Sequence, residues 1–396
     1  MNQSPTQKRI SGGGRPVVHP DVDDQLFEYF LERRSNGLPV HMSTLRTEGM
    51  RLLKGIDDSF KFSHGWYRSF CERYNLVMRS VTTSITTSVE TIAQRCVSFY
   101  RTLQSTIRTK NLSGKDFVFF DETALWFGES DRETLDVRGS RHIPVLATVC
   151  EKFRITGIFG QYGNGIKLPP ILLWNHNKDT IETRIVEGLF VIYVRRAWNN
   201  NLVMKHIINR WFVSTRMKNI HVVMDSAPMH SSRETIDFCQ QNSLNVHLIP
   251  GGCTPYIQPQ DVFVFSQLKH QLSQLVNKYI ESTPLRTRSG KIPKPSLNLV
   301  AKWVNDVWKT FNQKDLELYC HKSLLCPSPK DLYIAQDHLG AISEKFLELE
   351  AQPEHQMPND IDPLIDDFYH LEVGDIDDDQ CEEQLILYEE DGEDLF

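Results

Sequence analysis

An α/β domain with a mixed sheet, preceded by an all-helical unit, is the fold class this chain predicts, and three observations predict it. Apolar runs end in carboxylates at Phe117-Val-Phe-Phe-Asp-Glu122 and Ile220-His-Val-Val-Met-Asp225, and a third run reads Asn245-Val-His-Leu-Ile-Pro250. Before residue 80, apolar residues recur at three and four, the helical period. From Asp116 onward several strand-like runs come first, then helix and strand alternate, the order of an α/β sandwich.

The 396 residues suit two to three domains, and 40% apolar content supports a sizeable core. The net charge of −7 is unevenly spread. From Ala341 to Phe396 there are twenty Asp and Glu against one basic residue, Lys345, which leaves 43 Lys and Arg against 31 acids in the first 340 residues. A basic body with an acidic tail is compatible with a nucleic-acid partner. Eight cysteines without a CxxC motif fit reduced thiols in an intracellular protein. Cys320 and Cys326 flank His321, but no second ligand pair has the spacing of a zinc site. No apolar run reaches the length that spans a bilayer, so no membrane partner is expected.

The first stretch is polar and glycine-rich, with Arg15 as a candidate DNA contact. Pro20 is a good first-turn residue, and Val22, Leu26, Phe27, Phe30 and Leu31 form one apolar face before Asn36-Gly37 stops the helix. Ser43 is placed to cap a second helix, weakened by Gly49. Ser63 caps a third, with Trp66, Phe70 and Tyr74 on one side and Lys61, Arg68 and Arg73 available outside. Such a set reads either as a helix-turn-helix that presents its last helix to the major groove, or as a helical bundle with solvated arginines. Arg79 opens a hydroxyl-rich linker, and residues 89–109 read as a helix.

Strands are expected at Pro144–Cys150, Arg154–Phe159, Pro170–Trp174 and Leu189–Val194, which are rich in β-branched and aromatic residues. A helix through Leu202 and Trp211 follows, then the strand ending in Asp225, a helix over 233–241, the strand at 245–249 and a long helix after Asp261. Asp121 is expected to end the first strand and Asp225 a neighbouring one. Carboxylates at strand ends are what a two-metal phosphoryl-transfer site requires, because buried strands fix the backbone and the acids hold the cations about 4 Å apart. Taken singly, each acid reads equally as a surface or capping carboxylate. His230 reads as a substrate contact or a local cap.

The stretches FVFFDET (117–123), RGSRHIPVLATVC (138–150), GIKLPPILLW (165–174), HVVMDSAPMH (221–230) and IPGGCTPYIQPQDV (249–262) together resemble the pogo/Tigger-type transposases and the proteins descended from them. GRPVVHPDVDDQLFEYFLERRSNGLPV and FKFSHGWYRSFCERYNL resemble the centromere-protein-B-type DNA-binding domain of that family. The resemblance implies an RNase-H-like catalytic fold of the DDE superfamily with Asp121, Asp225 and Asp261 as its three acids. The 35 residues between Asp225 and Asp261 suit that pattern. It further implies Mg²⁺ or Mn²⁺ as cofactor, double-stranded DNA as partner, a homodimer and a nuclear location. Glu122 is set aside as a ligand because adjacent strand residues face opposite ways.

The domains expected are a basic tail (1–14), the helix-turn-helix unit (15–80), a linker and helix (81–115), the catalytic domain (116–325) and an acidic, largely disordered tail (326–396) that offers a protein partner a docking segment. Two departures from the family point to reduced catalysis. About nineteen residues precede Pro20 where the family places a further helix-turn-helix, and Phe263 stands where the family has a small residue and is expected to crowd DNA. Three functions compete: a DNA-binding protein of transposase descent, a working Mg²⁺-dependent transposase, and an interaction scaffold using neither DNA nor metal.

Overall fold

The computed structural model describes residues 17–35, 37–79, 87–127, 153–176, 180–195, 200–283, 287, 292–336 and 341–353. Arg15 and the strand expected at 144–150 lie outside the described residues.

Among the described residues three helices form the amino-terminal unit: α1 (Pro20–Ser35), α2 (Met42–Leu52) and α3 (His64–Arg73). Their shared core is Val22, Leu26, Leu45, Leu53, Phe62 and Phe70. Ser63 caps α3 as expected, accepting from the Trp66 amide at 3.3 Å. Ser43 does not cap α2, because the helix starts two residues earlier than such a cap requires, and His41 takes the N-cap position with Thr44 answering it. Gly49 has a packing reason: a Cβ there would stand 2.4 Å from Cζ of Phe62. The α1–α3 seam is polar at one end. Asp23 accepts from the Trp66 indole at 3.1 Å and pairs with Arg73, and Tyr74 donates to Asp24 at 2.6 Å.

Helix α4 (Val89–Lys110) follows, and Ile92, Ala93, Cys96, Val97, Tyr100 and Leu103 are buried along it. It was expected as a linker, yet its contacts run deep into the second domain. Tyr100 donates to the Cys326 carbonyl at 2.9 Å and Gln104 to the Leu324 carbonyl at 2.7 Å.

Among the described residues the second domain holds a seven-stranded sheet in the order β4-β5-β3-β2-β1-β6-β7. The strands are β1 (Phe117–Trp126), β2 (Arg154–Tyr162), β3 (Ile171–Asn175), β4 (Glu182–Val186), β5 (Leu189–Val194), β6 (Ile220–Asp225) and β7 (Leu244–Ile249). β1, β2 and β3 pair antiparallel, while β6 joins β1 and β7 joins β6 in parallel. Three antiparallel strands continued by two parallel ones across the first strand make the RNase-H-like arrangement. The hairpin of β4 and β5 widens it, turning on Glu187 and Gly188, both at positive φ (50° and 85°).

Helices α5 (Asn201–Ile208), α6 (Pro228–Ser231) and α7 (Arg233–Gln241) lie between the later strands. After β7 come α8 (Thr254–Ile257), α9 (Phe265–Ser282), α10 (Leu297–Thr310), α11 (Gln313–Cys320), α12 (Tyr333–Gln336) and α13 (Ala341–Glu350). The sheet separates two cores. Phe120, Ile158 and Met224 pack with Val203, Ile207 and Trp211 on one face. Leu125 and Phe159 pack with Leu268, Val300 and Trp308 on the other.

The acidic tail was expected to begin at 326, but ordered packing continues to 352. Ile342, Phe346 and Leu349 of α13 are buried. Arg101 of α4 closes the end of α13 by donating to Glu350 at 2.8 Å and to the carbonyls of Leu349, Glu350 and Gln352. Three apolar residues at helical spacing suffice to hold a helix whose exposed side is acidic. Among the described residues, no helix is long and apolar enough to cross a membrane.

Candidate functional site

Asp121 was expected at the end of a strand, but β1 runs on to Trp126 because β2 keeps pairing with it as far as Trp126↔Arg154. On the other side the pairing with β6 stops at Phe119↔Val223. Asp121 therefore stands two residues past the point where β1 and β6 part. Asp225, the last residue of β6, stands two past the same point. Counted from that register the two acids occupy equivalent positions on adjacent parallel strands that have ceased to pair. The divergence of β1 and β6, more than a strand end, opens the site.

Asp261 comes from a separate element, a π-helical turn (Gln260–Val264) that runs directly into α9. The turn before it is tied to β1 through the Gln258 amide, which lies 3.5 Å from the Phe120 carbonyl. The three acids sense one another. Burial pushes the Asp121 carboxyl well above its ordinary pKa, and Glu122, Asp261 and Asp225 push it further. Burial also raises Asp261, with Asp225 adding to it. Among the described residues, however, no three His, Cys, Asp or Glu side chains are drawn together at metal-holding spacing. The acids converge on one region without closing into the ligand shell expected from the sequence, as like charges on separate elements repel.

Local donors orient two of these acids. One oxygen of Asp121, Oδ1, accepts from the Glu122 amide at 2.8 Å. Asp225 Oδ1 accepts from the Ala227 amide at 3.1 Å and from His230 Nδ1. In both, the second oxygen has no hydrogen-bond partner among the described residues.

His230 is fully buried and spans two acids, with Nδ1 on Asp225 and Nε2 on Glu122 Oε1 at 3.0 Å. Burial opposes its charge, but Glu122 and Asp225 outweigh burial and push the pKa up to about 10. For Asp225 burial likewise acts against the charged form, and the bond from His230 overcomes it and lowers the pKa. Glu122 lies on the other face of β1 from Asp121, as strand alternation requires, yet it joins the site through His230. The Asp-x₄-His spacing, with Pro228 starting α6 between them, was the available sequence signal.

Phe263 does not stand in the open. It stacks on Tyr319 (centroids 4.8 Å, planes 9° apart) and meets Tyr333 edge-on at 5.0 Å. Neighbouring aromatic rings absorb the side chain expected to crowd DNA.

On the helical unit Lys61 and Arg79 are exposed. Arg68 is 83% exposed and pairs with Glu72 at 3.0 Å. Arg73 also has a fixed partner: its side chain, 31% exposed, is engaged by Asp23, whose side chain is 5% exposed. Arg73 is exposed, as helical spacing predicts, and also braces α1 against α3 through Asp23.

Residues 19–80 match the Tc5 transposase DNA-binding domain, and residues 167–318 match the DDE superfamily endonuclease. The second range includes Asp225 and Asp261 and starts after Asp121. The chain thus carries a stretch similar to a Tc5-type DNA-binding domain, followed by one similar to a DDE superfamily endonuclease domain. It is also similar to pogo transposable-element proteins. It is 22% identical over 304 residues to the pogo transposable element with KRAB domain of Mus musculus, covering 74% of this chain and 50% of that protein. It is 22% identical over 308 residues to the pogo transposable element with ZNF domain of Homo sapiens, covering 72% of this chain and 20% of that protein. The chain spans at most about half the length of these relatives. The Mos1 strand transfer complex is similar with a TM-score of 0.48 at 15% identity, covering 81% of this chain and 78% of that one. A Mos1 mariner paired-end complex with Mn is similar with a TM-score of 0.47 at 13% identity, covering 81% and 79%.

Proposed function

We propose that the chain is a nuclear DNA-binding protein that engages duplex DNA through its helical unit and retains a divalent-cation centre at Asp121, Asp225 and Asp261. The observation that carries the second half is the equivalent placement of Asp121 and Asp225 beside the parting of β1 and β6, each with one oxygen pinned and one open. The donor set fits the cation by its chemistry: Mg²⁺ and Mn²⁺ take hard oxygen ligands, and the charges of Asp225 and Asp261 bear on Asp121 in a way a cation relieves. A bound cation there would supply Lewis-acid activation of a phosphodiester and its attacking hydroxyl. The chain's own part is to hold Asp121 and Asp225 on sheet strands and Asp261 at the head of α9.

For the first half, the Tc5-type match and the exposure of Lys61, Arg68 and Arg79 support phosphate contact. Arg68 is free to change partners, since an exposed i,i+4 ion pair is worth only about 0.3–0.5 kcal/mol. Two copies of the chain on one DNA segment belong to the same proposal.

The test has two arms. Binding of the full chain to duplex DNA should weaken steeply with salt, and Arg68→Ala should lower the logarithmic salt slope by about 1. Salt-independent binding, or none, would leave the scaffold function in its place. In the second arm, Mn²⁺ titration followed by electron paramagnetic resonance should show binding that Asp121→Asn and Asp225→Asn each abolish. If Mn²⁺ supports strand transfer from a pre-cleaved DNA end, lost in those variants and in Asp261→Asn, the chain is a working transposase.

A further inference from the structure

We infer that His230 is a positioning residue of the acidic centre: anchored at its far side by Glu122, it fixes the rotation of the Asp225 carboxylate so that Oδ2, the oxygen without a partner, faces the cation. The inference rests on the proposed cation site.

Free rotation about the last side-chain bond of an aspartate is soft, so a carboxylate at a strand end is held only by what its oxygens bind. In Asp225 both local donors converge on one oxygen. The Ala227 amide reaches Oδ1 at 3.1 Å, and His230 Nδ1 donates to that same atom. Nothing among the described residues bonds Oδ2. One donor on Oδ1 would leave a swing about that bond, whereas two from different directions remove it.

The ring can act this way because it is itself immobile. His230 is 0% exposed, its Nε2 is held by Glu122 Oε1 at 3.0 Å, and Phe120 meets it edge-on with centroids 6.0 Å apart. Glu122 is fixed in turn by the strand that carries Asp121. The chain Glu122–His230–Asp225 thereby links the two acid-bearing strands through a side chain, just where their backbone pairing has ended. Glu122 acts at one remove from the cation, which accounts for a glutamate beside Asp121 that faces away from it.

The experiment is Mn²⁺ titration of the full-length chain by electron paramagnetic resonance, comparing wild type with His230→Asn, His230→Gln, Glu122→Ala and Asp225→Asn. Asparagine can place a donor where Nδ1 stands, whereas glutamine reaches the place of Nε2 and leaves Asp225 with the Ala227 amide alone. His230→Gln should weaken Mn²⁺ binding about tenfold or more, the usual consequence of removing a group that orients a ligand. His230→Asn, which keeps a donor at the place of Nδ1 but loses the anchor on Glu122, should weaken binding clearly less than His230→Gln does. A ring that only fills space would make the two variants alike, because both remove it, and equal affinities in the pair overturn the inference. If His230→Gln does not fold, Glu122→Ala carries the test: it keeps the ring and frees its far end, and unchanged Mn²⁺ affinity overturns the inference. Asp225→Asn separates the levels. If it abolishes binding while His230→Gln and Glu122→Ala do not weaken it, the cation site stands and the positioning role falls. If Asp225→Asn binds Mn²⁺ as wild type does, the cation site falls and takes the positioning role with it.

Discussion

Replacing Asp23 by Ala removes the acceptor shared by the Trp66 indole and the Arg73 guanidinium. An indole N–H left without an acceptor in a half-buried position costs about 1–3 kcal/mol. Arg73 keeps water on its exposed side, so its share is that of a screened pair, at most about 1 kcal/mol. Together the two give a loss of roughly 2–3 kcal/mol, confined to the seam between α1 and α3. Hydrogen exchange on the full chain reads such a local loss directly. Peptides from α1 and α3 should lose protection by a factor of about sixty for 2.5 kcal/mol, while those from β1 and β6 do not change. Asp23→Asn, which can still accept from Trp66, should show the smaller part of the effect. Protection within threefold of wild type in Asp23→Ala would refute the brace. The same measurement settles the role of Arg73: Arg73→Ala should loosen α1 and α3, and if it weakened DNA binding with protection intact, Arg73 would be a phosphate contact.

Gly49→Ala sets two magnitudes against each other. The helix gains about 0.8–1 kcal/mol in propensity, but a Cβ 2.4 Å from the Phe62 ring costs about 1–3 kcal/mol, so thermal melting should show a net loss of about 1 kcal/mol in the helical unit. His230, with its pKa raised to about 10, contributes stability that is fully present below its unfolded value of about 6.5 and is lost as pH rises through about 10. Melting curves between pH 8 and 10.5 should therefore show a fall in wild type that is absent from His230→Asn, and parallel curves for the two would contradict a charged His230.

The parts of the fold that could be read ahead of the structure were those where period and burial agree. The seam of Trp66, Phe70 and Tyr74 and the long helix after Asp261 carry one-sided patterns, β3, β5, β6 and β7 are short apolar runs, and each forms close to where it was expected. Strand β4 was missed because Glu-Thr-Arg-Ile-Val is an edge strand with Arg184 and Ile185 both exposed, so its only signal was the two-residue turn at Glu187-Gly188. Helix α13 was missed for a compositional reason: acids around Ile342, Phe346 and Leu349 made a buried stripe look like the start of a solvated tail. For Ser43 the hydroxyl was the right chemistry two positions too late. Capping depends on which residue leaves the helical conformation, and residue type alone does not say.

At the candidate site the types and spacing of the acids were legible, and their surroundings were not. Strand alternation correctly sent Glu122 to the face opposite Asp121, but alternation describes one strand and says nothing about what returns to meet it. His230 returns from the far side of β6, reaching Glu122 across 108 positions of sequence. Likewise the exposed-looking spacing of Arg73 gave no hint of Asp23, fifty positions earlier in the chain. Both cases have the same cause. A charged group at a helix or strand terminus is assigned by local pattern to solvent, while a complementary charge from another element can capture it. The two captured groups also differ in consequence. The pair of Arg73 and Asp23 joins helices within the amino-terminal unit, so its loss is felt as stability there. His230 lies between two acids whose strands have already parted, so the geometry it holds is that of the Asp225 carboxylate, and metal affinity should respond to its loss as well as melting.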